Sequence, residues 1–149
     1  MRVNKFVLDT NIWTSYIISG HENFLVKAVI DLNIEFYYCD ELLTEISRIL
    51  TYDNLAKLNI NIKAAVTFIK EVGIHFTLTY PLKEYIKSDA DDNFVIALAL
   101  QSGSGFVTSG DKDILHSKEI LEAKHKKLQI ITKREFETII QNRYNPFER

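Results

Sequence analysis

Seven acidic side chains stand at four places in the chain, each just after an apolar run or beside the start of a helical pattern. They are Asp9, Glu45, Asp89, Asp91, Asp92, Asp111 and Asp113. Ionised carboxylates that lie close together are unstable unless a proton or a cation neutralises them. If the four segments meet in space, their acids therefore predict a cation site.

The donor atoms of such a site restrict its chemistry. Oxygen ligands without Cys or His select hard cations, of which Mg²⁺ and Mn²⁺ are the obvious candidates. The single cysteine and the four scattered histidines show no zinc-binding spacing. Ions held by few protein ligands keep water and bind substrate phosphates, and a pair of them can activate a water and stabilise a leaving oxygen. The acids therefore predict a nuclease or a phosphatase.

Each acidic position also has an ordinary structural explanation. Asp9, Thr10 and Asn11 can form a turn or an N-cap, because all three types satisfy free backbone N–H groups at a helix start. Glu45 lies at the border of an apolar helix face, where an acid is usually solvated. Capping explains one or two aspartates before FVIALAL and one in SGDKDIL. The convergence of all four segments is what favours a site.

The elements that position these acids alternate along the chain. Strands are predicted near 4–8, 35–39, 74–79, 104–108 and 127–131, and helices near 12–18, 22–32, 41–51, 62–72, 91–101 and 133–142. Strands separated by helices indicate crossover connections and a mostly parallel sheet covered on both faces, so the expected fold class is α/β. Because parallel strands exit at one edge, ligands collect beyond their carboxyl ends.

Three local patterns make sharper predictions. TKRE predicts a capping box, in which Thr132 accepts the backbone N–H of Glu135 while the Glu135 side chain accepts that of Thr132. Gly73 is predicted to end the helix near 62–72 in the left-handed conformation. FVIALAL is apolar on all sides, which predicts a buried helix.

Composition sets the broad class of the protein. The 149 residues, 46% hydrophobic and 26% charged, have the size of one domain, expected over residues 1–149, and an ordinary globular balance. No apolar stretch approaches the ~20 residues of a membrane span, and Asp9 interrupts the N-terminal run too early for a signal peptide. A cytoplasmic protein is expected.

The net charge of −2 gives no sign of a nucleic-acid binder, although acids gathered around a metal would leave a mildly basic exterior.

Four motifs in this order, VLDTNIW, ELLTEISRIL, DADDNFVIALA and SGDKDIL, resemble the PIN domain, and most closely its bacterial toxin-component (VapC-like) branch. The resemblance spans about residues 3–140. It implies a three-layer α/β/α sandwich around a mostly parallel sheet of about four to five strands. It also implies a Mg²⁺- or Mn²⁺-dependent endoribonuclease that cuts single-stranded RNA, the toxin of a toxin–antitoxin pair whose antitoxin blocks the site. A homodimer is expected.

The resemblance assigns metal-ligating roles to acids of this chain. Asp9 matches the first metal-ligating acid and Glu45 the second. Asp92 matches the third because it stands directly before the alanine-rich helix, with Asp91 as a rival in DADD. Asp111 matches the fourth.

The resemblance also implies accessory roles. Asp113 is similar to the accessory acid that stands beside the fourth ligand. Asn11 and a hydroxyl before the last motif would orient water or phosphate. In the segment TSGD, either Thr108 or Ser109 can provide this hydroxyl.

Three other functions are weighed against the toxin. A signalling receiver domain also binds Mg²⁺ at strand ends, but it needs paired acids after the first strand and an acceptor Asp after a middle strand. Here the first strand brings one acid, and the third ends in LTYPLKE. The full set of acids argues against a catalytically inactive binding module, which stays open as an alternative. An RNA-processing nuclease without an antitoxin remains open.

Further segments suggest nucleic-acid contacts less directly. The basic residues at 124–127 and 133–134 can meet an RNA backbone, but solvated turns are the favoured explanation for them. Trp13 and Tyr16 can stack on bases, but a position in the core is favoured for both. SGSG at 102–105 follows a helix and precedes a strand, which is the wrong order for a phosphate-binding loop.

Overall fold

A computed structural model of the chain describes residues 4–52, 57–86 and 90–145, with 90–92 described by their backbone alone. The strands are β1 Lys5–Leu8, β2 Glu35–Tyr38, β3 Ile74–His75, β4 Phe106–Thr108 and β5 Gln129–Ile131. The helices of this part are α1 Thr10–Ser19, α2 Glu22–Leu32, α3 Asp40–Ile49, α4 Ile62–Val72, α5 Ala90–Ser102, α6 Lys112–His116, α7 Lys118–Lys124 and α8 Lys133–Tyr144.

The strands form one five-stranded sheet in the order β3-β2-β1-β4-β5, and every neighbouring pair is parallel. This confirms the predicted α/β class and its mostly parallel sheet. The chain leaves β1 toward β2 and β3 and later returns to the other side of β1 to add β4 and β5. The crevice beyond the carboxyl ends of β1 and β4 is therefore the topological switch point, where open α/β sheets bind ligands.

The core lies on both faces of the sheet. The ring of Phe136 on α8 packs edge-on against Phe6 of β1, with centroids 5.5 Å apart, and lies 6.0 Å from the ring of Phe36 on β2. Helix α5 contacts β1, β2 and β4, and its residues 94–99 are each at most 6% exposed, as its uniformly apolar sequence predicted. Trp13 and Tyr16 are also buried, so their predicted core position is confirmed.

Several local predictions can be compared with the structure. The capping box at the start of α8 is present, with both of its hydrogen bonds formed between Thr132 and Glu135. The strand predicted over 74–79 is too long, because only Ile74 and His75 pair as β3. Helices α6 and α7 were not predicted, since each is too short to show a helical period. No helix in the described ranges combines the length and apolar character that a membrane crossing needs.

The prediction for Gly73 is wrong. Its φ of −93° and ψ of 174° are extended, whereas Gly20 after α1, Asn33 after α2 and Gly103 after α5 have positive φ. Glycine is required at this position because there is no room for a side chain. An added Cβ would lie 2.7 Å from Cδ1 of Tyr38 and 2.9 Å from the carbonyl oxygen of Ile69. Gly73 therefore allows the end of α4 to pass close to β2.

The outer edge of β5 is covered by side chains of α7. The backbone N–H of Ile130 donates to Oε2 of Glu122 at 2.8 Å, and Nζ of Lys118 donates to the Ile130 carbonyl at 2.6 Å. Lys118 also donates to Glu122. Burial acts to raise the pKa of the Glu122 carboxyl, but the hydrogen bonds from Lys118 and Ile130 outweigh it and lower that pKa. The pair satisfies backbone groups that an edge strand otherwise leaves open to another strand.

Candidate active site

Asp9 lies at the switch point, directly after β1, and is only 5% exposed. Its backbone N–H donates to the carbonyl of Thr108 at 2.9 Å, which continues the β1–β4 ladder by one residue. Oδ1 accepts the backbone N–H of Thr10 and Oδ2 accepts the hydroxyl of Ser109, both at 2.7 Å. Asp9 is thus the N-cap of α1, as one interpretation predicted, and its carboxylate also contacts the neighbouring strand end.

Ser109 connects Asp9 to the turn after β4. It is fully buried, donates to Asp9 and accepts the backbone N–H of Asp111 at 3.0 Å. Thr108 is equally buried, but its hydroxyl has no hydrogen-bond partner among the described residues. Of the two competing hydroxyls, Ser109 is therefore the one that contacts Asp9.

Asp111 caps the short helix α6. Its Oδ1 accepts the backbone N–H groups of Asp113 at 2.8 Å and Ile114 at 3.3 Å. Both capping bonds use the same oxygen. Asp111 and Asp113 are partly exposed, so the turn presents two carboxylates to solvent next to the buried Asp9–Ser109 pair.

Glu45 lies on α3, a helix that contacts both α1 and α5. Leu42 and Ile46 are fully buried, as the predicted apolar face requires, and Glu45 is half-buried at its border. The side chain of Glu45 lines a cavity of about 540 Å³ together with residues that include Tyr80 and Phe94. Phe94 belongs to the N-terminal part of α5, so Glu45 faces a space that this part of the helix borders.

The segment after β3 is attached to both helices that border this cavity. The Tyr80 hydroxyl donates to Glu41 of α3, and this hydrogen bond raises the pKa of Tyr80 to about 12. The side-chain amide of Gln101 on α5 accepts the backbone N–H of Thr79 at 2.7 Å and donates to its carbonyl at 3.1 Å. Thr79 and Tyr80 thus connect α3 and α5 through one short segment.

Asp91 and Asp92 lie in the first turn of α5, but their side chains fall outside the described part of the structure. Asp89 also falls outside it. Asn11 is exposed in the first turn of α1. The structure therefore joins Asp9, Ser109, Asp111 and Asp113 through a continuous set of hydrogen bonds, and Glu45 lines the cavity that Tyr80 and Phe94 also line.

Metal-binding capacity can be judged from the donor atoms. Within the ranges that the structure describes, no group of three or more Asp, Glu, His or Cys side chains is arranged to hold a metal ion. The side chains of Asp91 and Asp92 lie outside these ranges. The donor chemistry itself fits a hard divalent cation, because the Asp9 carboxylate is buried and each carboxylate oxygen can accept more than the one hydrogen bond described above.

Asn93 is a residue at this edge that the sequence patterns did not identify. Its Oδ1 accepts the backbone N–H groups of Tyr85 at 2.9 Å and Ile86 at 2.7 Å. It thereby fastens the segment before α5 to the first turns of that helix. In the sequence, Asn93 follows two aspartates and precedes an apolar run. Hydrophobic periodicity alone does not distinguish such an asparagine from an ordinary helix-capping residue.

Comparisons with known proteins agree with this architecture. Residues 5–113 match the family model described as PIN domain. No curated protein sequence matches the chain. The crystal structure of VapBC2 from Rickettsia felis bound to a DNA fragment from their promoter aligns with a TM-score of 0.55 and 10% identity, over 86% of this chain and 98% of that chain. A domain of a functionally unknown protein from Methanocaldococcus jannaschii DSM 2661 aligns with a TM-score of 0.51 and 12% sequence identity. This alignment covers 87% of this chain and 90% of that chain.

Proposed function

Because the chain belongs to the PIN domain family, whose members are nucleases, we propose that it is a Mg²⁺- or Mn²⁺-dependent endoribonuclease that hydrolyses single-stranded RNA. The observation that carries the proposal is the buried Asp9 carboxylate at the switch point of the sheet, hydrogen-bonded on both oxygens. Hydrogen bonds to a buried carboxylate and a positive charge beside it both favour its ionised form. A divalent ion supplies that charge and a binding point for phosphate.

The proposed ligands of the ion are four catalytic acids with one accessory acid. They are Asp9, Glu45, Asp92 and Asp111, with Asp113 as the accessory ligand and Asp91 as the alternative to Asp92. A bound divalent ion would activate a water for attack on the phosphodiester and stabilise the leaving oxygen.

The chain's own groups would position the reacting parts. The Thr10 N–H and the Ser109 hydroxyl fix the orientation of the Asp9 carboxylate, and Ser109 also holds the backbone of Asp111. The exposed amide of Asn11, two residues after Asp9, would donate to a phosphate oxygen or orient a water. Fixed donors and acceptors of this kind need no rearrangement during the reaction.

The proposal extends to the biological setting. The shared fold with VapBC2 supports a role as the toxin of a toxin–antitoxin pair, in which a cognate antitoxin protein covers the site. We further propose that residues 1–149 form one nuclease domain that acts in the cytoplasm as a homodimer.

The decisive experiment compares matched aspartate variants. Purified protein with Mn²⁺ should cleave single-stranded RNA, and Asp9→Asn should abolish cleavage while its circular dichroism spectrum stays unchanged. Asp31→Asn is the charge-matched control, because Asp31 is exposed on α2 and hydrogen-bonds to Tyr144. Mn²⁺ should raise the Tm of the wild type and of Asp31→Asn, but not that of Asp9→Asn, since a ligand stabilises only the form that binds it. Full cleavage in excess chelator, or by Asp9→Asn, would contradict the proposal.

The toxin role has a separate test. Induced expression of the wild type in a bacterial host should arrest growth, and Asp9→Asn should relieve the arrest at equal protein level. Normal growth with active, soluble enzyme in the cells would favour an RNA-processing role without an antitoxin.

A further inference from the structure

A second cavity adjoins the candidate active site. It has a volume of about 470 Å³ and lies between residues 84–86 on one side and helices α6 and α7 on the other. Asp113 lines it, and the backbone N–H of Asp113 donates to Asp111 of the candidate site. The cavity, called here the Tyr85 groove, is therefore continuous with the turn that carries two of the proposed acids. Its volume lies in the range of about 300–1,000 Å³ that is typical of ligand sites.

The walls of the Tyr85 groove suit a flat, neutral ring better than a phosphate. Two carboxylates, Glu84 and Asp113, line it together with Lys124 and His116, so the lining carries no excess of positive charge. Apolar and aromatic surface comes from the half-buried Tyr85 and from residues of α7. Nucleobases stack on such surfaces and hydrogen-bond to polar groups through their edges.

One apolar residue of the groove is exposed to an unusual degree. Ile120 on α7 is 61% exposed, among the highest values for a large apolar side chain in the described part of the chain. It lies on the same wall as Leu121, which is buried in the core. A base seated in the groove would cover Ile120 and remove apolar surface from water.

The opposite wall is held in place from two sides. Asn93 accepts both the Tyr85 and the Ile86 backbone N–H groups, and the Tyr85 ring packs edge-on against His125 with centroids 6.0 Å apart. Asn93 follows Asp92 directly in the chain. The same turn of α5 thus carries a proposed metal ligand and positions the wall of the groove.

From these contacts we infer that the Tyr85 groove binds an unpaired nucleobase of the RNA strand next to the phosphate that is cut. Tyr85 provides the stacking surface, and Asn93 is the positioning residue. The inference rests on the proposed function, since it needs RNA at the neighbouring acids. It also gives a reason for a preference for single strands, because a base within a duplex has no free face to stack on Tyr85.

Binding and crosslinking test the groove without cleavage. Asp9→Asn protein is titrated with a fluorescent single-stranded RNA and, in parallel, irradiated with the same oligonucleotide carrying 4-thiouridine. On this background Tyr85→Leu should weaken binding about 10-fold, as expected for the loss of one stacked base, and Tyr85→Phe should keep it. Crosslinks should map to the peptides containing Tyr85 or Ile120. Tyr144→Leu, a partly exposed tyrosine on α8, is the control and should bind as the parent does.

The role of Asn93 is tested by kinetics of otherwise wild-type enzyme. Asn93→Ala should raise KM for RNA more than it lowers kcat, because it releases the wall without removing a proposed ligand. Asn93→Asp keeps an oxygen acceptor for the two N–H groups and should restore KM. Equal loss of kcat in both variants would contradict the positioning role.

The possible results separate the groove from the nuclease. RNA cleavage by the wild type, with crosslinks outside the groove and unchanged binding by Tyr85→Leu, would overturn the groove and leave the proposed function intact. Crosslinks at Tyr85 without cleavage by the wild type would support base binding in the groove but overturn the nuclease, and with it the position next to a cut phosphate. If Tyr85→Leu lost only the binding of a protein partner, the groove would be a protein site and the inference wrong.

Discussion

The hydroxyl of Ser109 donates a 2.7 Å hydrogen bond to the Asp9 carboxylate, although the two residues are 100 positions apart in the chain. Adjacent parallel strands bring them together, since Leu8 at the end of β1 pairs with Thr108 at the end of β4. Ser109 also accepts the N–H of Asp111. One buried hydroxyl therefore couples the proposed first and fourth acids.

Removal of this hydroxyl should impair the proposed site without unfolding the protein. Ser109→Ala should lower metal affinity and cleavage by about 10- to 100-fold, the range seen when groups that orient metal ligands are lost. Ser102→Ala is the control, because Ser102 is also buried and hydrogen-bonded, to Ser104, but precedes β4 at the opposite end of the sheet. Titration with Mn²⁺ and RNA cleavage assays measure both effects. Equal losses in the two variants would indicate a general effect of serine removal.

The two aspartates at the start of α5 can be separated by substitution. Asp92→Asn should reduce cleavage by about 100-fold or more, because it removes a charged ligand of the proposed ion, while Asp91→Asn should stay within a few-fold of the wild type. Cleavage rates at saturating Mn²⁺ and at limiting Mn²⁺ give the measurement. The opposite ranking would assign the ligand role to Asp91.

The contacts of Glu122 and Lys118 with Ile130 of β5 should make the stability of the protein depend on pH. The pKa of Glu122 is lowered in the folded state, so its ionised form stabilises the fold above the unfolded pKa, and this contribution is lost as pH falls through the folded pKa. Glu122→Gln should therefore lower the free energy of unfolding by about 1 kcal/mol at pH 7, and the difference should shrink in acid. Urea unfolding across this pH range measures it, with Glu119→Gln, an exposed acid on the same helix, as the control. A difference independent of pH would rule out the ionic contribution.

Gly73 should tolerate no side chain. Gly73→Ala places Cβ against Tyr38 and two backbone oxygens, so the free energy of unfolding should fall by about 1–3 kcal/mol. Gly110→Ala is the matched control, because an added Cβ there has no heavy atom of the described residues within 4 Å beyond its chain neighbours. Thermal unfolding should show a lower Tm only for Gly73→Ala. An unchanged Tm would mean that α4 moves away from β2 at little cost.

The competing interpretation as a signalling receiver is wrong, because the chain belongs to the PIN domain family. The sequence argued against it for a local reason, since β1 delivers one acid and not two. The expected ligand roles of the acids stay predictions, as do RNA specificity, the antitoxin and the homodimer.

The alternation of strands with the longer helices, the α/β class and the position of Asp9 and Asp111 after strands follow from the sequence alone. These features depend on hydrophobic period and capping within a few residues, as the capping box of Thr132 and Glu135 illustrates.

Only the tertiary structure decided that Ser109 and not Thr108 contacts Asp9, that Gly73 is needed for space and not for a left-handed turn, and that Asn93 holds the Tyr85 segment. Two of these relationships, Ser109 with Asp9 and Gly73 with Tyr38, join residues more than 30 positions apart. Strand order, strand register and side-chain packing determine the distances between these residues. Patterns within a few residues of the sequence do not predict such long-range distances.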